Sequence, residues 1–293
     1  MANLINPFWG AAVEAPTMTL STTSTSSTWS PDNVTNPGDI LFWTVTGGIE
    51  IAETEVDDPT FDLTLNSGSA DMTVYDVSQL TQFEVNNEDI TAIDVTEAVA
   101  LIDLELYLNP AVTVLDLSGN PDLETLYCYS CNIDSLDISN NLSLNYISAG
   151  ANGMSTFTAG SNTALATLFL NGNSGLTSVD LSGCTTQIYL NIASCPSLSS
   201  LTLGSTLLQQ IFILDCDLPN GIDVSGMTGL HRIYCQGNNY TVTATNQLLA
   251  DLVANGRSVG NERLRYRNNE TGQGITDRAT LVSRGWTITN FAT

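Results

Sequence analysis

The chain has 293 residues, with 31 acidic side chains against 7 basic ones and a formal charge of −24. It contains no lysine; its cations are Arg232, Arg257, Arg263, Arg265, Arg267, Arg278 and Arg284, so everything before Arg232 carries acids with no cation nearby in sequence. Such a surface repels polyanions, which excludes nucleic acid and anionic membrane faces as natural partners, and the missing lysine removes Schiff-base and phosphate-loop chemistry. No apolar run has transmembrane length, so no membrane insertion is expected, and Met1–Trp9 lacks the basic and apolar regions of a secretory signal.

Residues 1–38 read as an N-terminal anchor and tether. Ile5, Asn6, Pro7, Phe8 and Trp9 form a short apolar aromatic peptide, followed by a Ser/Thr-rich stretch over 17–30 that holds too little apolar surface to offset its ordering entropy. Residues 39–79 read as a β-rich N-terminal cap. Ile40–Val45, Ile49–Ile51, Phe61–Leu65 and Met72–Val77 are strand-like, separated by Gly47-Gly48, Asp57-Asp58-Pro59 and Asn66-Ser67-Gly68.

From 80 to 240 the chain repeats every 21 or 22 residues. A column of asparagines and cysteines marks the period: Asn109, Cys131, Asn152, Asn173, Cys195, Cys216 and Asn238, with Glu88 one period earlier in the same frame. Apolar residues stand at the first, fourth and sixth places before most members, as in Leu101-Leu104-Leu106, Leu123-Leu126-Cys128 and Leu165-Leu168-Leu170. About eight coils start near Leu80, Leu101, Leu123, Leu144, Leu165, Gln187, Leu208 and Leu230, a solenoid whose units bury their apolar sides only against one another. Half a period on, Ile93-Asp94-Val95, Leu115-Asp116-Leu117, Leu136-Asp137-Ile138, Val179-Asp180-Leu181 and Ile222-Asp223-Val224 suggest a second short strand. The fold class expected is mainly β: a solenoid with a parallel β-sheet, an N-terminal β cap and a small α/β C-terminal cap.

That C-terminal cap covers 241–293. It has a helix over Asn246–Asn255 with Asn246 as N-cap and Gly256 as the stop, a strand at Leu264–Arg267, a short helix over Thr276–Ser283 capped by Thr276, and a final strand at Gly285–Thr289. Six of the seven arginines lie there. Arg263, Arg265 and Arg267 suit an acidic surface such as the flank of another copy, a route to a homo-oligomer; a solvated cap strand is the plainer reading.

The ladder asparagines read as structural, because an amide satisfies both kinds of buried backbone group and stacked amides bond along a column. Cys128, Cys131, Cys184, Cys195, Cys216 and Cys235 occupy apolar or ladder places and read as free thiols. Cys128 and Cys131 have no second CxxC or histidine pair, so no metal or other cofactor is expected. Alternation points Glu105, Tyr107, Tyr127, Tyr129, Tyr146, Phe169, Tyr189, Phe212 and Tyr234 toward solvent on one sheet face, at strand spacings of about 4.8 Å. An aromatic strip of this kind stacks on sugar rings or anchors a protein; the alternative is that the rings only stabilise the sheet. The aspartate column Asp94, Asp116, Asp137, Asp180 and Asp223, and the loop Asp215–Gly221, faintly suggest calcium, with solvation the plainer account. Catalytic residues are none: His231 is the single histidine and no nucleophile motif surrounds it, although abundant carboxylates leave a glycan-cleaving enzyme as a distant third reading.

With Leu-x-x-Leu-x-Leu/Cys-x-x-Asn/Cys in place over 80–240, the chain resembles leucine-rich-repeat proteins of the short bacterial type. Ile133–Asn141 followed by Leu144 is similar to repeats of Bacteroidetes surface proteins. The resemblance implies a curved solenoid with its sheet on the concave side, and binding rather than catalysis. Ile5–Trp9 looks like openings of bacteriophage virion proteins with a head-fibre or tail-fibre module. The resulting expectation is a non-enzymatic virion surface protein, joined to other virion proteins through its N-terminus and presenting its concave face to a host-surface glycan or protein. The alternative is a bacterial cell-surface adhesin.

Overall fold

The computed structural model describes residues 16–24, 30–35, 41–46, 70–75, 77–257, 263–267 and 269–291. Its spine is an eleven-stranded sheet. From one edge it runs Asn33–Thr35, Gln82–Glu84, Asp103–Glu105, Thr125–Tyr127, Tyr146–Ser148, Thr167–Phe169, Tyr189–Asn191, Gln210–Phe212, Arg232–Tyr234, Arg263–Arg267 and Thr287–Phe291. Only the first pair is antiparallel. Each repeat strand is three residues long with its middle residue buried, which is why one leucine-like side chain per strand recurs so strictly: Phe83, Leu104, Leu126, Ile147, Leu168, Leu190, Ile211 and Ile233 stack into the core. The result is a leucine-rich-repeat solenoid.

Each coil leaves its inner strand through a left-handed residue. Asn87, Leu108, Ser130, Ala151, Gly172, Ser194, Asp215 and Gly237, one per coil, all have φ between 53° and 78°. Glycine holds this conformation freely, but here only two of the eight are glycine. The turn drives the next side chain inward, and that side chain is the ladder residue. Asn109 donates its amide to Val85 O (2.7 Å) and Leu106 O (2.8 Å), while its Oδ1 accepts from the N–H groups of Glu88 and Ile90. Asn152 and Asn173 repeat the scheme one coil apart, and Asn173 Oδ1 takes the Asn152 N–H. The amides therefore bond to the backbone of adjacent coils rather than to each other, because backbone groups opened by the turn lie nearer than the next side chain. Cys131, Cys195 and Cys216 donate to a single inter-coil carbonyl each, Leu106 O, Leu170 O and Ile192 O. All six cysteines are buried and free.

A second column lines the opposite bend and was not legible from the leucine pattern. Asn120, Asn141 and Asn162 are fully buried, followed at the same spacing by Cys184 and Ser205. Asn120 donates to Val95 O and Ala98 O, and Asn141 donates to Leu117 O and Asn120 O. Ser205 Oγ donates to Gln187 O and Thr185 O. Asn120 lies in the turn-type sequence Ser118-Gly119-Asn120-Pro121, and Asn141 opens the sequon Asn141-Leu142-Ser143; as a buried donor, Asn141 is closed to modification. Of the expected second strands, Val179–Leu181 lies in Ser178–Leu181, which pairs with Thr156–Thr158 and Ser200–Leu203, two strands not expected, in a small sheet opposite the long one, and Ile93-Asp94 falls in the cap strand Ile90–Asp94. Leu115–Leu117, Leu136–Ile138 and Ile222–Val224 are not strands.

The ends differ from expectation. Thr17–Thr22, assigned to a tether, is a strand at the heart of a four-stranded sheet, ordered Phe42–Thr46, Ala70–Tyr75, Thr17–Thr22, Ile90–Asp94. Alternation decides it: Met18, Leu20 and Thr22 face inward and are buried, while Ser21 donates to Asp71 and Thr17 to Glu97. The cap thus takes a strand from each side of 39–79, and Asn33–Thr35 covers the edge strand Gln82–Glu84, as an unpaired edge requires. The expected strands at Ile49–Ile51 and Phe61–Leu65, and the peptide Ile5, Asn6, Pro7, Phe8, Trp9, lie outside the described residues.

At the other end the repeat does not stop at 240. The long sheet continues in parallel through Arg263–Arg267 and Thr287–Phe291, with helix α1 (Val242–Ala254) and helix α2 (Gln273–Ser283) as the crossovers. Helix α1 starts four residues before the expected N-cap, because Thr241 offers its hydroxyl to Ala244 N–H; Asn246 instead accepts the Thr271 N–H. Helix α2 begins at Gln273 without a side-chain cap. No helix among the described residues is long and apolar enough to cross a membrane.

Candidate functional site

The solvent face of the long sheet is built from the third and fifth places of each coil, flanking the buried middle residue. The third places read Gln82, Asp103, Thr125, Tyr146, Thr167, Tyr189, Gln210, Arg232 and Arg263 in cross-strand register. The fifth places read Glu84, Glu105, Tyr127, Ser148, Phe169, Asn191, Phe212, Tyr234 and Arg265.

The aromatics do not form one straight strip. From Tyr127 to Phe212 they alternate between the two columns, each ring leaning across a small neighbour onto the next, and Tyr234 then follows Phe212 in the fifth-place column. Centroid distances are 4.8 Å for Tyr127–Tyr146, 5.8 Å for Tyr146–Phe169, 5.0 Å for Phe169–Tyr189, 5.4 Å for Tyr189–Phe212 and 5.1 Å for Phe212–Tyr234. Thr125, Ser148, Thr167 and Asn191 fill the gaps, so the zigzag follows from pairing each large residue with a small one along the strand order. All six rings are half-buried, each screened by its neighbours. Tyr107 and Tyr129 form a separate stack at the seventh place, with centroids 4.6 Å apart and ring planes nearly parallel. Burial raises the phenol of Tyr189, with Arg232 pulling the other way, and burial together with Tyr127 raises that of Tyr146.

Charge is segregated along this face. At the N-terminal end Glu84, Asp103 and Glu105 crowd together; burial raises both Asp103 and Glu105, and Glu84 adds to each. Asn86 donates to Glu105 (3.4 Å), a weak offset. At the C-terminal end stand Arg232, Arg263 and Arg265. Arg265 lies over the Tyr234 ring at 4.4 Å, a cation–π contact, and Arg232 donates to Gln210 Oε1 at 3.0 Å. The sequence reading found Glu105 and the aromatics but passed over Glu84, Asp103, Arg232 and Arg265 as parts of this face. The repeat frame held the signal, since all four occupy third or fifth places.

The exposed aspartate column has a local purpose. Asp94, Asp116, Asp137, Asp180 and Asp223 each accept the N–H of the residue two positions on, at 2.7–2.9 Å for the bonds that they make. Serine N–H and hydroxyl donors hold Asp116, Asp137, Asp180 and Asp223 below the ordinary carboxylate range. These are Asx turns that start the outer bend. Where Gly119 follows, a Cβ would sit 1.8 Å from Thr96 O. In the loop Asp215–Gly221, Asp217 accepts from Asn239. Among the described residues no three His, Cys, Asp or Glu side chains converge as metal ligands. His231 Nδ1 lies 3.2 Å from Gly229 O, on the turn of its own coil.

No protein-family model matches the chain, and neither does any curated protein. Similar solved structures include the functional domain of InlJ from Listeria monocytogenes, described as including a cysteine ladder, at 17% identity and a TM-score of 0.28 over 60% of this chain and 59% of that one. A leucine-rich-repeat protein of Leptospira interrogans is 12% identical with a TM-score of 0.36, over 60% and 48% of the two chains. The internalin InlF of Listeria monocytogenes is 16% identical with a TM-score of 0.28, over 74% and 83%. The chain spans less than two thirds of the length of the first two. At these values the likenesses carry nothing beyond themselves; the leucine-rich-repeat fold rests on the coils described above.

Proposed function

We propose that the chain is a non-enzymatic recognition module of a bacterial surface, an adhesin-like protein that engages a protein or glycan through the solvent face of its long sheet. One observation carries this reading: six aromatic rings, in contact one after another from Tyr127 to Tyr234, line a face whose other side chains are polar or charged. Flat, half-shielded rings give a partner large contact area at low conformational cost, and they match both sugar faces and apolar side chains. The expected experiment is adsorption of the purified chain to bacterial cells and a glycan array. Replacing Tyr127, Phe169 and Phe212 with alanine abolishes adsorption while the melting curve shows an intact fold. Unchanged adsorption of that folded variant overturns the reading.

A virion setting remains a second reading. It rests on the likeness of Ile5–Trp9 to phage structural openings, and its test must respect the strand at Thr17–Thr22. Removing residues 1–15, rather than the whole Ser/Thr stretch, should leave folding unchanged yet prevent incorporation into particles. Incorporation of the shortened chain would end that reading.

A further inference from the structure

We propose that the aromatic face docks on the same face of a second copy, related by a two-fold axis that runs along the strand Thr167–Phe169. This rests on the reading of that face as a recognition surface and names its partner.

A two-fold interface requires each patch to complement itself: if residue i meets residue j, then j meets i. Counting Gln82–Glu84 as the first strand and Arg263–Arg267 as the ninth, Thr167–Phe169 is the fifth and central one. An axis along it places first strand on ninth, second on eighth, third on seventh and fourth on sixth, with third places over third places and fifth over fifth. Glu84 then meets Arg265, and Asp103 meets Arg232. Tyr127 meets Phe212, and Tyr146 meets Tyr189. Ser148 meets Asn191, and Phe169 meets its own copy. Gln82 meets Arg263, and Glu105 meets the Tyr234 ring over which Arg265 lies; elsewhere acid faces cation, ring faces ring and polar faces polar. The perpendicular axis in the same plane would set every strand on itself, acids on acids and arginines on arginines, and is excluded by repulsion.

The cations of this face have no acidic partner among the described residues, while Glu84 accepts from the Asn33 and Gln82 amides of its own chain. Arg232, Arg263 and Arg265 make no ion pair among the described residues, where Arg278–Glu270 is the salt bridge formed. Asp103 Oδ1 is shielded from water and takes no hydrogen bond. The same segregation argues against other occupants: a polyanion is repelled by Glu84, Asp103 and Glu105, and a polycation by the arginine end.

The face is also shallow enough to meet its copy. Behind its centre, Thr156–Thr158, Ser178–Leu181 and Ser200–Leu203 form a parallel sheet on the opposite side of the same coils. Two hydrogen-bonded sides advance by the same pitch of about 4.8 Å per coil, so the long sheet bends little there. Two such faces would pack about 10 Å apart, as sheets in a sandwich do. A strip roughly 10 Å wide and roughly 40 Å long is smaller than the ~800 Å² per partner of a standard interface, which marks the association as weak and transient.

Sedimentation velocity on the full chain, from about 5 to about 500 μM, should show a monomer giving way to a dimer, with the dimer weakened by added salt. Arg232→Asp and Asp103→Arg should each sediment as monomers, because one end of the face then matches the other in sign. An equimolar mixture of the two should recover the dimer, since both contacts are restored across the axis. Circular dichroism and melting curves confirm that each variant is folded; Arg265→Asp with Glu84→Arg provides an independent pair if either is not. A wild-type chain that stays monomeric throughout, variants that dimerise like wild type, or a folded mixture that stays monomeric would each overturn the proposal. Adsorption by a strictly monomeric wild type overturns self-docking and leaves the recognition reading standing. A dimer that never adsorbs does the reverse.

Discussion

The solenoid turns twice per coil, and both turns are lined by buried side chains that serve backbone groups, but within each column the side chains are used to different depths. In the inner column, Asn109, Asn152 and Asn173 use both ends of the amide, each donating to at least two carbonyls and accepting at least one N–H, whereas Asn238 only donates and its Oδ1 is buried without a partner. In the outer column, Asn120 and Asn141 use only their donors, and their Oδ1 atoms are buried without a partner, whereas Asn162 donates to Asn141 O and accepts the N–H groups of Ala164 and Leu165. The reason lies in the backbone. The N–H groups of Leu123 and Leu144 go to the carbonyls of Asn120 and Asn141, while the corresponding Leu165 N–H goes to the Asn162 side chain. An amide is used at both ends where its turn leaves N–H groups open.

Asn173→Ala tests this most strongly. It strands the Asn152 N–H and the carbonyls of Ala149 and Leu170, and the expected loss is about 3 kcal/mol by denaturant unfolding. Asn141→Ala removes two donors and also relieves one unpaired oxygen, so the loss should be smaller, about 2 kcal/mol. Equal losses would dissolve the distinction between amides used at both ends and amides that only donate.

Gln187 sharpens the comparison from the core between the two columns. It occupies the first, leucine-type place, is fully buried, and neither amide atom has a partner. Gln187→Leu should stabilise the chain by about 1–2 kcal/mol, seen as a higher melting temperature. An unchanged or lower melting point would mean that the amide is satisfied after all.

Glu88 is where the inner column begins without an amide. Burial, with Asp32 and Asp89, raises its carboxyl from 4.5 to about 7. A raised carboxyl means that the fold favours the protonated form, so this group supports stability at pH below about 4.5 and loses that support as pH rises through about 7. The melting temperature should therefore fall between pH 5 and pH 8, and Glu88→Gln should flatten part of that fall; identical slopes would remove Glu88 as a cause.

The smallest effect concerns the left-handed turns themselves. Leu108 has φ of 61° and a side chain 41% exposed, so Leu108→Gly gives up little packing and relieves strain. Its gain, offset by greater freedom of the unfolded chain, should be at most about 1 kcal/mol. A clear loss in the unfolding midpoint would show that Leu108 packs more than its exposure implies.

The sequence by itself determined the solenoid, its period, the inner ladder and the burial of the cysteines. Each is a local pattern repeated at fixed spacing, and stacking forces repeated residues into repeated environments. It also placed the aromatics on one face, because alternation along a three-residue strand leaves no other choice. The tertiary structure alone decided what spacing within one coil does not encode. Thr17–Thr22 is a strand because Ala70–Tyr75 and Ile90–Asp94 approach it from far along the chain, and its Ser/Thr composition hides a buried Met18 and Leu20. The sheet runs on past Tyr234 because α1 and α2 span the crossovers that shorter turns made before. The zigzag of rings, and the placement of Glu84 and Asp103 against Arg232 and Arg265 at opposite ends of one face, depend on register between strands 20 to 30 residues apart, which only the folded sheet sets.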